Sequence, residues 1–495
     1  MHSDHSGKYD EFTIDDFARL MKEGELSSSD LVEYYVDRIS RIDAGQSAGA
    51  DGSHGPHLNS VLHMNEEAFS LAGQLDEERR HGLVRGPLHG IPLLLKGNID
   101  TGDAMPTTAG SLALKGRLAA EDAPLVAGLR RAGAVVLGKT NLSEWANFRS
   151  THSSSGWSSE GGQTRNPYAL DRNPSGSSSG SAVAVSANLC AAAVGTETDG
   201  SIISPSSING IVGIKPTVGT VSRGGIIPIS FSQDTAGPMA RTVRDAALLL
   251  AALAEPGTMA GILSQAAEAE SHLRSLRLGV ARNFCGFLPE VDKVFEEALR
   301  ALRERGAILV EMKLEAEKGF DEAELEVMLY EFKHGIAGYL GRGLDDLIAF
   351  NWTHAEEVMP WFGQELFEMA ATKGSLSNET YLKARDLCAS ASRERGIDAA
   401  LARDRLDAIL APSGSPAWKT DHVLGDHYMG GGCTSLPAAA GYPHLTLPSG
   451  FIHGLPVGLS VFGPKYSEAT LFRIASAFES ATKVRLPPRF EASAD

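Results

Sequence analysis

A loop of glycine and serine, GSSSG at 176–180, runs without a break into SAVAVSANLCAAAV at 181–194. A plain flexible linker joins domains in solvent, whereas an Ala/Val-rich helix has to be buried. The chain must therefore close a core directly onto a loop. With 495 residues, 42% of them hydrophobic, it is long enough for a large core and too long for one small domain. Length alone suggests about three domains. The pattern below favours one domain over 1–495, with 1–60 an N-terminal helical segment, 85–250 the central core and 320–405 a helical insertion or cover.

That pattern is an alternation. Residues 11–43 carry helical periodicity through Phe12, Ile14, Phe17, Leu20 and Met21, then Leu31, Tyr34, Tyr35 and Ile39, with SSSD at 27–30 supplying N-cap candidates. A Gly/Ser/His loop covers 44–58. IPLLL (91–95) reads as a strand, PLVAGLRRAG (124–133) as a helix ending at glycine, and AVVLG (134–138) as a strand. Further strands are expected at 276–282, 307–314, 407–412, 444–449 and 457–463, with helices at 241–253, 289–305 and 467–482. Strand–helix alternation at this spacing predicts the α/β class, a large mixed sheet covered by helices on both faces.

Composition excludes several functions. Net charge is −17, from 62 acidic and 45 basic residues, and no Lys/Arg cluster stands out. Nucleic acid is excluded as a partner on that ground. The four cysteines include no C-x-x-C pair, which argues against a disulfide framework or a thiolate zinc site. No apolar run approaches the ~20 residues of a membrane span. The polar start MHSDHSGKYD lacks a signal-peptide core, so a cytoplasmic location is expected. A mature chain that had lost a leader would read the same way.

Several motifs invite chemistry and are better read as structure. GAVVLGKT (133–140) matches the phosphate-loop spacing, but its four intervening residues are Ala, Val, Val and Leu, which belong to a strand rather than a phosphate cradle. His422 and His427 stand beside Asp421 and Asp426 with no third ligand at helical spacing, so a polar loop is expected and no metal. His89 reads as a turn or core histidine. Ser178 is the centre of GSSSG and fits the nucleophile-elbow pattern G-x-S-x-G. An elbow needs a strand immediately before it, and RNPYALDRNPS is loop.

The segments GPLHGIPLLLKGNID, SGSSSGSAVAVSANL, AVGTETDGSIISPSSINGIVGIKPT and SFSQDTAGPMARTVRDAA follow one another between 85 and 250. Together they resemble the amidase signature family of serine hydrolases, and GYPHLTLPSG and LPVGLSVFG extend the likeness more faintly toward the end. The resemblance implies that family's fold and a Ser–cis-Ser–Lys triad with no cofactor. Lys96 in LLLKGN would be the base. Ser201, the last residue of GTETDGS, would be the nucleophile. Ser177, 24 positions upstream, would be the bridging serine on a cis peptide bond. Backbone N–H groups of Thr198, Asp199, Gly200 and Ser201 would hold the oxyanion.

The residue types make physical sense. A serine hydroxyl needs a base within hydrogen-bond reach. Lysine is a base only when neutral, which at an ordinary pKa costs about 4.6 kcal/mol at pH 7; burial lowers that cost by destabilising the ammonium. Lys96 follows five apolar residues, at the end of a strand that should be buried. Two positions depart from the family pattern: Glu197 stands for the usual Asp, and Asp199 for the first Gly. The Asp199 carboxylate must point away from the oxyanion. Asp234 and Arg241 match family positions and read as loop-holding groups. GTETDGS is most similar to the peptide amidase branch, which implies removal of C-terminal peptide amides as ammonia. An aryl- or fatty-acyl amidase and the catalytic subunit of a tRNA-dependent amidotransferase are the alternatives. Ser178, Trp352, Trp361, Phe362 and Tyr428 are candidates for the substrate pocket.

Overall fold

The computed structural model describes residues 7–44, 55–254 and 273–494; the first six residues of the polar N-terminus and positions 45–54 of the Gly/Ser/His loop lie outside them. Among the described residues the strands are β1 (Val61–Met64), β2 (Pro92–Lys96), β3 (Val135–Thr140), a short hairpin of β4 (Trp157–Ser158) and β5 (Gly162–Gln163), β6 (Ala192–Glu197), β7 (Val212–Lys215), β8 (Thr235–Ala240), β9 (Arg277–Ala281), β10 (Ile308–Met312), β11 (Ala408–Pro412), β12 (His444–Ile452) and β13 (Leu455–Phe462). Eleven of them form one sheet in the order β1-β3-β2-β6-β8-β7-β12-β13-β11-β9-β10. β2 runs parallel to β3 and β6, and β9 runs parallel to β10 and β11; the remaining neighbours are antiparallel. The sheet is therefore mixed.

Successive side chains of a strand point to opposite faces. Leu93, Leu94 and Leu95 of β2 are all fully buried, so helices cover both faces there. One of them, Ser179–Ser186, is buried at every position. Its small residues let it lie close to β6: a Cβ on Gly195 would stand 2.8 Å from Ser178 Oγ. The N-terminal helices Ile14–Glu23 and Ser28–Arg38 each begin with a capping box, Thr13 with Asp16 and Ser27 with Asp30.

The stretch 320–405 is largely helical. Its long helix, Phe320–Leu340, is packed on two sides. Val327 and Tyr330 join Tyr381 and Cys388 of the helix Glu379–Ser392. Leu329, Phe332 and Ile336 pack with Trp145, Phe148, Ile227 and Ile229.

The phosphate-loop look-alike is β3, buried along its whole length. Lys139 points inward, its Nζ donating to Thr107 Oγ1 at 2.6 Å and to the Met105 carbonyl at 3.2 Å. His89 is a core histidine whose Nε2 meets the Leu75 carbonyl at 3.0 Å.

Gly180 tests how tightly the loop is sealed. Its Cβ would meet the Ser60 carbonyl and, at 2.5 and 2.7 Å, the backbone O and N of Asn141. Backbone atoms cannot swing aside, so the clash outweighs the ~1 kcal/mol of helix propensity that alanine brings. Gly73, within the helix Ala68–Arg80, has open space around its Cβ. Thermal unfolding should show Gly180→Ala destabilised by about 1–3 kcal/mol or more, and Gly73→Ala stabilised by up to about 1 kcal/mol.

Candidate active site

β2 and β6 are parallel neighbours with Leu95 opposite Val194. The end of β2 therefore arrives where β6 is about to leave the sheet. Lys96, the last residue of β2, donates from Nζ to the Thr196 carbonyl at 3.1 Å and to Ser177 Oγ at 2.7 Å. The Gly176–Ser177 peptide bond is cis. One residue on, the Ser178 N–H donates to the Ser201 carbonyl at 3.1 Å. That bond fixes the loop before the small-residue helix against the turn after β6.

Lys96 is fully buried. Burial pushes its pKa down to about 7, against the opposing pull of the Glu197 and Asp234 carboxylates. Ser177, Ser201, Asn98, Glu197 and Asp234 line a narrow inner compartment of about 10 Å³, room for about one water. It adjoins an outer cavity of about 650 Å³. Thr198, Ser201, Ala146 and Ile229 line both.

The turn 198–201 is prepared on every side. Glu197 Oε2 accepts the N–H groups of Ile202 and Ile203 at 2.7 and 3.0 Å. Thr198 Oγ1 donates to Asp234 Oδ1 at 2.6 Å, while Asp234 Oδ2 accepts the N–H groups of Ile229 and Ser230, both at 2.9 Å. Gly200 has φ +74°, the left-handed region that glycine adopts freely. Asp199 is turned outward, its Oδ2 accepting from Ser435 Oγ at 2.7 Å. Among the described residues, the N–H groups of 198–201 donate to no protein acceptor. Arg241 clamps loops from a distance, donating to the carbonyls of Cys190 at 2.7 Å and Phe12 at 2.8 Å.

The pocket candidates divide. Tyr428 lines the outer cavity. Ser178 does not: it is fully buried, its Oγ donating to the Thr196 carbonyl at 3.0 Å and accepting the Thr196 N–H at 3.2 Å. Trp352, 62% exposed, lies outside the lining of either compartment. Trp361 stacks on His422 at 4.9 Å between ring centroids, and Phe362 packs between Trp157 and the Arg149 guanidinium. The wall is built instead from Trp418, Asp426, Gly430–Gly432, Thr434, Ser435, Met328 and the stretch Ala146–Phe148. Residues Trp145, Ala146 and Asn147 all have positive φ, at +52°, +53° and +69°, a run of left-handed backbone that is rare for residues other than glycine. GGG at 430–432 is the sequence signal for a backbone-lined wall. Among the described residues, no group of three or more His, Cys, Asp or Glu side chains is placed to hold a metal ion. His427 instead faces Asp421 at 3.6 Å. No helix among them is long and apolar enough to cross a membrane.

Fold and site together define a hydrolase of C–N amide bonds. The chain belongs to the Amidase family, whose model matches residues 31–472. A solved native peptide amidase from Stenotrophomonas maltophilia is 46% identical, with a TM-score of 0.90 over 98% of this chain and 99% of that one. A probable amidase of Arabidopsis thaliana is 38% identical over 97% of this chain and 92% of its own length. A glutamyl-tRNA(Gln) amidotransferase subunit from Symbiobacterium thermophilum is 35% identical over 94% of this chain and 96% of its own.

Ser178 joins two backbone groups of β6 in a dry interior. Ser178→Ala takes this partner from the Thr196 N–H and leaves its carbonyl with Lys96 Nζ alone, so chemical denaturation should register a loss of about 1–3 kcal/mol.

Proposed function

We propose that this amidase works through Lys96, Ser177 and Ser201 and an acyl-enzyme, and that it removes the C-terminal amide of peptides as ammonia. The observation that carries the mechanism is the 2.7 Å bond from Lys96 Nζ to Ser177 Oγ in a fully buried setting. An amine with a pKa of about 7 is substantially neutral at physiological pH and can accept a proton. Lys96 draws that proton from Ser201 by way of Ser177. Ser201 Oγ attacks the amide carbonyl. The unengaged N–H groups of 198–201 receive the oxyanion as preorganised donors. The relay returns the proton to the leaving ammonia, and water then hydrolyses the acyl-enzyme by the same path.

The substrate class rests on a cavity that is open and partly aromatic, wide enough for a peptide end, and on the 46% identity to the peptide amidase. The amidotransferase relatives, one of them 35% identical, favour a second reading. It requires partner subunits and an ammonia route. Hydrolysis by the chain alone of peptide amides and fatty amides, read as ammonia release, and of aryl anilides, read as arylamine release, separates these readings: activity on peptide amides without a partner supports the first.

Ser201→Ala should abolish labelling by a fluorophosphonate while Ser178→Ala retains it; loss of the label in Ser178→Ala alone would reinstate the elbow. Lys96→Ala should lower kcat/KM by roughly 10²–10⁴-fold or more. Protonated Lys96 is inactive as a base, so kcat/KM should rise with pH through a midpoint at about 7, and a profile flat between pH 5 and 9 would contradict the assignment.

A further inference from the structure

Two charged residues line the outer cavity among the described residues, Asp199 and Asp426, and both are acidic. Asp199 lies two positions before Ser201. Near it, at the head of the helix Phe320–Leu340, are Asp321 and Glu324. Burial raises the Glu324 carboxyl well above the usual range, and the neighbouring charge of Asp199 adds to the effect. Burial also raises Asp199, with Asp321 adding to it; Thr434, Ser435 and the buried Lys215 oppose. Lys215 is not in the cavity wall and is committed to the carbonyls of Tyr442 and Pro216. The Asp426 carboxylate accepts from the Ser155 N–H at 3.1 Å, Trp418 Nε1 at 3.2 Å and Asn173 Nδ2 at 3.3 Å, which fix it in the wall. The rings of Phe148, Trp418 and Tyr428 line the same cavity.

Carboxylates beside aromatic faces attract cations. An incoming carboxylate would meet like charge at low dielectric with no counter-ion in the wall. We propose that the outer cavity selects acyl groups that are neutral or cationic beside the scissile amide and rejects amides carrying a carboxylate there, free glutamine and asparagine included. The same field acts on the product. Hydrolysis converts a neutral amide into a carboxylate and ammonia, so the released acid is repelled from the cavity that admitted its precursor.

The inference rests on the amide-hydrolase reading of this site, and its test keeps the two apart. Blocked dipeptide amides ending in Glu, Gln or Lys differ in charge at nearly constant size. The same three acyl groups are also presented as anilides. The glutamyl substrates should show kcat/KM at least about tenfold below the glutaminyl ones, with the lysyl substrates equal to or above them. Asp199→Asn and Asp426→Asn, each of which takes one carboxylate out of the wall at constant shape, should narrow the Glu/Gln gap by about threefold or more. Glutamyl substrates turned over as well as glutaminyl ones overturn the inference, as does a gap unchanged in both variants. Hydrolysis of the anilides alone rejects the peptide-amide reading, while the charge order among them still decides this one.

Discussion

An amine that the fold has stripped of water is the constraint from which the site follows. Lys96 Nζ makes two hydrogen bonds, to the Thr196 carbonyl and the Ser177 hydroxyl, both neutral acceptors. Neutral acceptors do not repay the loss of hydration of a full positive charge. Two carboxylates, Glu197 and Asp234, act on Lys96 from within the same compartment and favour the ammonium. Each is itself drained: Glu197 by the N–H groups of Ile202 and Ile203, Asp234 by Thr198, Ile229 and Ser230. Burial therefore wins, and the lysine is poised near neutrality rather than held as an ion.

The sheet supplies the geometry. Because β2 and β6 are parallel and adjacent, the same end of two interior strands delivers the lysine and the turn after β6 together. The small-residue helix Ser179–Ser186 closes over both, with Ser177 at its entry. Glycine at 180 and 195 is what allows so close an approach. Those residues do not take part in chemistry, yet they set the distances on which it depends. The turn after β6 also supplies donors to both carboxylates, Ile202 and Ile203 to Glu197 and Thr198 to Asp234. The turn 198–201 and the electrostatics of the lysine are thus one construction.

Much of the fold was legible in the chain. The apolar runs at 91–95, 276–282, 407–412, 444–449 and 457–463 became β2, β9, β11, β12 and β13, because long β-branched or leucine-rich stretches leave few alternatives. The strands β6, β7 and β8 left no such trace. AAVGTE and TAGPMA are built largely from small residues, suited to close helix packing rather than to strand propensity, and VGIK is only four residues long. At the site, the burial of Lys96 could be read from IPLLL, and the outward turn of Asp199 from the chemistry of its neighbours. Apart from Tyr428, the cavity wall could not. It comes largely from 418–435 and 146–148, segments brought together only by tertiary packing, whereas Trp352 and Trp361 were attractive as large aromatic residues and belong to the outside of the cover. Local pattern reports what a segment becomes; it does not report what the segment faces.

The central claim concerns the charge on one nitrogen, and it can be measured without substrate. Protein carrying ¹³C at the lysine ε-carbon gives a methylene resonance for each lysine, and Lys96→Ala identifies the relevant one by its loss. The account predicts that this resonance titrates near pH 7, well below the ~10.4 of an ordinary lysine. Titration of the same resonance near ~10 would show a fully charged ammonium at neutral pH and contradict the account.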